Sequence, residues 1–249
     1  MDNLNAHIVG KGKPLILLHG APGSLDDWKF IIPFLSDKFE VHAIDRPGYG
    51  GSLAVPSGNL EKNILAISEY IKKHKLQNII VVGHSYGGSV AARLVNSHYV
   101  NKVFVINAPL SGYKGAKAFS PFQEYLLKNI KLIPPDNVLK LIMKTSLKNH
   151  FKGTTTENKN FLEDLASIAT KSYTTLRQEL LNLHNDLNKN PIENYNFNII
   201  LSKDDDELFK LQAQESIKKG AKLFSAPGLH YPHIEQPKVV AEILLTKTP

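Results

Sequence analysis

Gly83-His84-Ser85-Tyr86-Gly87-Gly88 is the stretch of this chain best suited to chemistry. The apolar run Ile79-Ile80-Val81-Val82 leads into it, and the helix-like run Ser89 to Val95 leads out. A strand that turns at once into a helix forces its turning residue into a strained backbone conformation, where only small neighbours avoid a clash. Gly83 and Gly87 supply that clearance. Ser85 is then held at a sheet edge above the first amides of a helix, where negative charge is favoured. A serine hydroxyl is a poor nucleophile by itself. It needs a base within hydrogen-bond reach, and the base needs a carboxylate to orient it and stabilise its charged form. The chain has ten histidines, of which His19 and His84 lie near glycine turns and His230 and His233 lie in a loop close to the C-terminus. Asp204-Asp205-Asp206 follows the apolar run Ile199-Ile200-Leu201 and offers the carboxylate. A metal reading of His230-X-X-His233 with Glu235 lacks a third strong ligand, and the chain has no cysteine, so no metal is expected.

The elements that must position these groups alternate along the chain. Apolar runs at Pro14–Leu18, Val41–Ile44, Ile79–Val82, Val103–Ile106, Ile199–Leu201 and Lys222–Phe224 predict strands. Their apolarity is continuous and rich in β-branched residues, as strands buried on both faces of a parallel sheet require. Helix-like segments lie between them at Asp26–Leu35, Leu60–Lys73, Ser89–Ser97, Glu207–Lys218 and Lys238–Leu245. The pattern predicts an α/β fold with a doubly wound, mostly parallel sheet and ligands at the carboxyl ends of its strands.

One segment breaks this rhythm. Between Pro109 and Tyr195 only helical periodicity is found, in Phe122-Tyr125-Leu126, Val138-Leu139-Ile142-Met143, Phe161-Leu162-Leu165-Ile168-Ala169 and Leu176-Leu180-Leu183-Leu187. Pro134-Pro135 and Gly153-Thr154-Thr155-Thr156 punctuate it. The expectation is a core of residues 1–108 and 196–249, with residues 109–195 inserted as a helical cap over the site.

Composition narrows the partners. The chain has 249 residues and a net charge of +7, carried almost wholly by scattered lysines. Nucleic-acid readers lean on arginine forks, and Arg46, Arg93 and Arg177 are the only arginines, so nucleic acid is not an expected partner. The first residues form no basic segment leading into an apolar one, and no apolar run approaches the roughly 20 residues that cross a bilayer. A soluble, cytoplasmic protein follows as the expectation, with oligomeric state left open.

Four motifs converge on a family. They are Leu17-Leu18-His19-Gly20-Ala21-Pro22-Gly23, Asp45-Arg46-Pro47-Gly48-Tyr49-Gly50-Gly51-Ser52, the Ser85 turn, and Gly228-Leu229-His230-Tyr231-Pro232-His233-Ile234-Glu235-Gln236-Pro237. In that order the chain resembles the α/β-hydrolase superfamily, in its capped, HGxP-bearing branch, over nearly its whole length. The resemblance implies Ser85 as nucleophile and His230, in a loop matching the family's catalytic-histidine loop, as base. It places the acid after the penultimate strand. Setting Ile199-Ile200-Leu201 on the buried part of that strand makes Asp206 the acid and gives Glu207-Leu208-Phe209 the family's pattern. Sliding by one residue makes Asp205 the acid but puts Asn198 at a core position. Asp206 is therefore the first choice and Asp205 the alternative.

By the same analogy the backbone N–H groups of Ala21 and Tyr86 form an oxyanion hole, and Trp28 and Tyr86 are candidates to line the pocket. Asp45 to Ser52 reads as a structural turn, with Arg46 outside the catalysis. Little precedes His7-Ile8-Val9, which leaves open whether the first edge strand that such enzymes often carry is present.

Relatives in the HGxP branch that open epoxides or displace halide use an aspartate nucleophile, and Ser85 argues against both. The expected activity is cleavage of a small to medium, partly apolar carboxylic ester through an acyl-enzyme, with no cofactor. An aminopeptidase or amidase, with Glu124, Glu157, Glu163 and Asp164 as available cap acids, remains open, as does a carbon–carbon bond hydrolase. A hydrolase-like ligand receptor or partner-binding protein is the alternative outside catalysis.

Overall fold

Continuous apolar runs that are buried on both sides must be covered by helices on both sides, and the chain does this around a seven-stranded sheet. The computed structural model describes residues 4–112, 136–147, 151 and 156–248. The strands are β1 (Ala6–Val9), β2 (Lys13–Leu18), β3 (Phe39–Ile44), β4 (Ile79–His84), β5 (Val100–Ile106), β6 (Asn198–Ser202) and β7 (Lys222–Ala226). Their order across the sheet is β1-β3-β2-β4-β5-β6-β7. All neighbours run parallel except β1, which pairs antiparallel with β3 at one edge. Every apolar run read as a strand is one. β1 adds the antiparallel edge, built from the short His7-Ile8-Val9 segment.

The helices are α1 (Ile32–Leu35), α2 (Leu60–Lys73), α3 (Tyr86–Arg93), α4 (Asp136–Leu147), α5 (Thr156–Lys171), α6 (Tyr173–Lys189), α7 (Glu207–Lys218), α8 (Pro232–Glu235) and α9 (Pro237–Lys247). The predicted helix at Asp26–Leu35 divides into a 3-10 turn, Leu25–Trp28, and the short α1, because Pro33 enters at the start of a new turn. The helix predicted from Ser89 begins three residues earlier, at Tyr86, so that it starts on the residue after Ser85.

Alternation along each strand splits the core. Ile16, Leu18, Val81, Val103 and Val105 face the layer of α2, α3 and α7, while Leu15, Leu17, Ile80, Val82 and Phe104 face α1 and α9. Each such side chain taken fully out of water contributes about 1.5–3 kcal/mol. A third cluster joins Leu147 of α4, Phe151, and Phe161 and Leu165 of α5 to Tyr231 and Ile234, so the inserted helices sit over the His230 loop. The helix candidate at Phe122-Tyr125-Leu126 lies outside the described residues.

The last inserted helix, α6, is tied to the sheet's own layers by polar contacts. Asp186 Oδ2 accepts the N–H of Leu60 at 3.0 Å, Asn182 Nδ2 donates to Gly58 O at 3.3 Å, and Arg93 Nε donates to Asn190 O at 2.7 Å. Among the described residues no helix is long and apolar enough to cross a membrane.

Candidate active site

The register of the sheet collects the loops that matter at one edge. Leu18 of β2 lies opposite Gly83 of β4, and His84 lies opposite Ile106 of β5. The chain therefore leaves β2 at His19, β4 at Ser85, β5 at Asn107 and β6 at Lys203 on the same side. Ser85 has φ 50° and ψ −121°, a backbone conformation that L residues rarely adopt, and its N–H donates to Ile106 O at 2.9 Å. Every residue from Ile79 to Ala92 is buried except Ser85. The turn is possible only with glycine on both sides. A Cβ on Gly83 would stand 2.2 Å from Gly87 O, and one on Gly87 would stand 2.4 Å from the carbonyl oxygens of Leu18 and His19. Those are backbone atoms of α3, of β2 and of the residue that follows β2, which cannot step aside. Gly87→Ala is expected to cost about 2–3 kcal/mol through overpacking. That lowers the thermal midpoint by roughly 5–10 °C in a denaturation scan.

His230 Nδ1 lies 3.0 Å from Asp205 Oδ2, and both side chains are largely withdrawn from water. A carboxylate only accepts, so Nδ1 carries a proton, and in the neutral ring Nε2 keeps its lone pair. The first-choice acid, Asp206, is elsewhere. It is exposed at the N-cap of α7, where its Oδ1 accepts from Leu208 N at 3.0 Å. Asp205 Oδ1 in turn accepts the Asp206 N–H at 2.8 Å. The objection to this register was Asn198 in the core. Asn198 is indeed buried, but its Nδ2 donates to Val103 O at 3.1 Å, so the amide is satisfied inside the sheet.

His230 is anchored on both sides by residues at the strand ends. His84 Nε2 donates to His230 O at 2.8 Å, with the two rings 4.8 Å apart, and so ties the residue next to Ser85 to the histidine loop. Asn107, directly after β5, donates Nδ2 to Leu229 O and His230 O at 3.1 Å each and to Ser202 Oγ at 2.8 Å. Its Oδ1 accepts Ser202 N at 2.9 Å. Sequence reasoning missed Asn107, although a polar residue closing an apolar strand at the ligand edge was the available signal. Glu235 Oε2 accepts Leu229 N at 2.9 Å and closes the loop from its far side.

Three further histidines are fully buried around this loop. Burial holds His19 well below the usual histidine range, helped by the Arg46 charge. Burial, with His233 and His230 nearby, does the same to His84. His233 packs between Trp28 and His84 at 4.5 Å from each, and burial with His230 beside it lowers its pKa to about 3. From about pH 6.5 down to 3 the unfolded chain therefore binds a proton at this position that the folded chain refuses. Stability is complete above that window and falls as pH drops through it, by about 1.4 kcal/mol per pH unit from His233. Thermal midpoints measured between pH 7 and 4 are expected to fall steeply in the wild type and less steeply in His233→Phe.

The loop after β2 lies against the elbow: a Cβ on Gly20 would stand 3.2 Å from Ser85 Cβ. Since Ser85 N is engaged by Ile106 O, the first helix amide past the serine is that of Tyr86. His19 Nε2 accepts the Arg46 N–H at 2.9 Å, so its Nδ1 is protonated and donates to Gly20 O at 2.8 Å. The Arg46 side chain donates to His19 O and Gly20 O, both at 2.8 Å, and meets Glu179 of α6 with Nη1–Oε1 2.8 Å and Nη2–Oε2 3.2 Å. Both charges are 0% exposed. Burial alone would lower the Arg46 pKa, but Glu179 and the neighbouring tyrosines raise it. Glu179 was not among the acids named from the sequence. Of those, Glu163 pairs with Lys144 at the surface and Asp164 is exposed, while Glu124 and Glu157 lie outside the described side chains. Asp45 serves its turn, accepting from Leu25 N at 2.8 Å and Gly51 N at 2.7 Å. Trp28 is fully buried in the sheet core against His233, and Tyr86 packs on the Arg46 guanidinium. A groove of about 650 Å³ between β1 and α2 is lined by none of these residues.

A strand–serine–helix turn with a histidine–carboxylate pair at the carboxyl edge of a parallel sheet defines the class. The model described as "Alpha/beta hydrolase family" matches residues 15–243, and the chain belongs to the alpha/beta hydrolase family. A pimeloyl-[acyl-carrier protein] methyl ester esterase of Vibrio cholerae is 36% identical over 112 residues, 44% of this chain and 42% of that protein. A soluble epoxide hydrolase of Corynebacterium sp. is 35% identical over 103 residues, 40% of this chain and 36% of that protein. The matches thus span about two fifths of these curated relatives. Among solved structures, an esterase from Exiguobacterium antarcticum superposes with a TM-score of 0.81 at 18% identity, covering 98% of this chain and 94% of that one. A bromoperoxidase from Bacillus anthracis gives 0.78 at 22% identity, with the same coverage. At these identities the likeness is one of fold.

Proposed function

We propose that the protein is a serine hydrolase that cleaves a small to medium carboxylic ester through an acyl-enzyme on Ser85. The observation that carries this reading is the His230 Nδ1–Asp205 Oδ2 contact of 3.0 Å in a loop bound to the residue next to Ser85. In the proposed reaction His230 Nε2 takes the Ser85 proton as Oγ attacks the ester carbonyl. The oxyanion that forms is held by the N–H groups of Ala21 and Tyr86. Its collapse breaks the ester bond, and the leaving alkoxide takes the proton from His230. Water, activated by the same imidazole, then releases the acid and restores Ser85. Asp205 keeps the imidazole in its tautomer and offsets its charge. No cofactor is required.

Residues 109–195 act in this reading as the cap that shapes the acyl pocket. An ester substrate agrees with the methyl ester esterase relative. Ser85 in place of an aspartate speaks against the chemistry named for the epoxide hydrolase relative. The aminopeptidase reading gains nothing from Glu179, whose charge is already taken by Arg46. The test is turnover of p-nitrophenyl esters of increasing acyl length, with amide and thioester analogues, beside labelling by a fluorophosphonate. Labelling without turnover of any substrate in the panel would favour a ligand receptor. A folded protein that neither labels nor turns over esters would sink the proposal.

A further inference from the structure

Arg46 has five N–H donors, and all are engaged: Nε on His19 O, Nη1 on Asn63 Oδ1 and Glu179 Oε1, and Nη2 on Gly20 O and Glu179 Oε2. Glu179 accepts, besides Arg46, Tyr49 Oη at 2.8 Å, Asn63 Nδ2 at 3.0 Å and Ser57 Oγ at 3.3 Å. The rings of Tyr49 and Tyr86 lie against the guanidinium at 4.8 and 4.7 Å. A buried ion pair of this kind is weak evidence for stability, since desolvation offsets most of its attraction. Its value lies in what it fixes. Gly20 O belongs to the same planar peptide unit as the N–H of Ala21, so a carbonyl held in place also sets the direction of that N–H. Gly20 has no side chain to hold the plane by itself. Two donors, Arg46 Nη2 and His19 Nδ1, converge on Gly20 O, and such polarisation makes the N–H at the other end of the unit a stronger donor.

We propose that Glu179 is a positioning residue for the oxyanion hole: from the inserted helix α6 it holds Arg46, and Arg46 aims the Ala21 N–H at the developing oxyanion. This rests on the ester-hydrolase reading above. The cap thereby acts on chemistry at the sheet edge without touching substrate at that point.

The test is Glu179→Gln, assayed on an ester and on the matching thionoester, whose sulfur accepts hydrogen bonds poorly and gains little from the hole. Ester kcat is expected to fall on the order of 10- to 100-fold with KM nearly unchanged. The ester-to-thionoester ratio of kcat/KM should fall with it. Asp186→Asn is the control, on the same helix and equally tied to the core but not to Arg46, and should keep the wild-type ratio. Tyr49→Phe, which removes one hydrogen bond from Glu179, supplies the same measurement with a milder change if Glu179→Gln does not fold. Equal losses on both substrates, or an unchanged ratio in both variants, would overturn the inference. If the wild type itself shows no Ser85-dependent turnover, it is the ester-hydrolase reading that has failed.

Discussion

Ser85→Ala is expected to abolish fluorophosphonate labelling and to lower kcat for a p-nitrophenyl ester by about 10⁴-fold or more, leaving the fold intact. The variant keeps Cβ and loses only Oγ, so the strained turn at φ 50° stays packed between Gly83 and Gly87. In the proposed mechanism no acyl-enzyme can form without Oγ, and water would have to attack the carbonyl directly with only His230 and the oxyanion donors to help. Some residual turnover above the uncatalysed rate is therefore expected. KM should change little, because the serine contributes almost nothing to ground-state binding. The measurement is steady-state kinetics with active-site titration, and circular dichroism to verify the fold. Retention of more than a few per cent of activity would show that another group is the nucleophile.

Asp205→Asn should be nearly as damaging, and Asp206→Asn nearly silent. An asparagine at 205 presents either a donor or a weaker acceptor to His230 Nδ1. When it presents the donor, the imidazole adopts the opposite tautomer and Nε2 can no longer take the serine proton. A loss of about 10⁴-fold in kcat is expected. At 206 the side chain caps α7 through a single hydrogen bond to Leu208 N, and asparagine caps as well as aspartate. Activity within about twofold of wild type and a stability change below about 0.5 kcal/mol are expected there. Measured side by side, the two variants read out the register of β6. Loss of activity at 206 with retention at 205 would assign the acid to the neighbouring residue after all.

The difference between these aspartates shows where a sequence stops being legible. The strands could be read because they are buried on both faces and therefore uniformly apolar, and Leu60–Lys73 and Glu207–Lys218 could be read to the residue because caps and periodicity agree. The elbow was legible because strand, small residues and helix must follow one another there. The aspartate that meets His230 was placed one position too late because an amide at Asn198 was taken as foreign to a core strand. An amide is tolerated wherever a free carbonyl meets it, and only three dimensions reveal Val103 O. Glu179 was missed for a related reason. It falls between Leu176 and Leu183 on the buried stripe of α6, where a charge should raise the question of a partner. That partner lies 133 residues earlier, in a turn read as purely structural. Pairings over such distances leave no periodic trace.

The hydrogen bond from Leu60 N to Asp186 also bears on how this architecture can be assembled and rearranged. An isolated helix needs its first amides satisfied, and α2 satisfies one with its own Asn59, through Lys62 N, and another with a carboxylate 126 residues downstream. During synthesis α2 emerges long before that carboxylate exists, so until then the Leu60 N–H is left to water. The bond couples the sheet's flanking layer to the insertion by about 0.5–1.5 kcal/mol, the net contribution of a typical hydrogen bond. The same bond limits modularity. A cassette exchanged between β5 and β6 would have to retain α6, and an effective graft boundary lies ahead of Tyr173 rather than at the end of the strand.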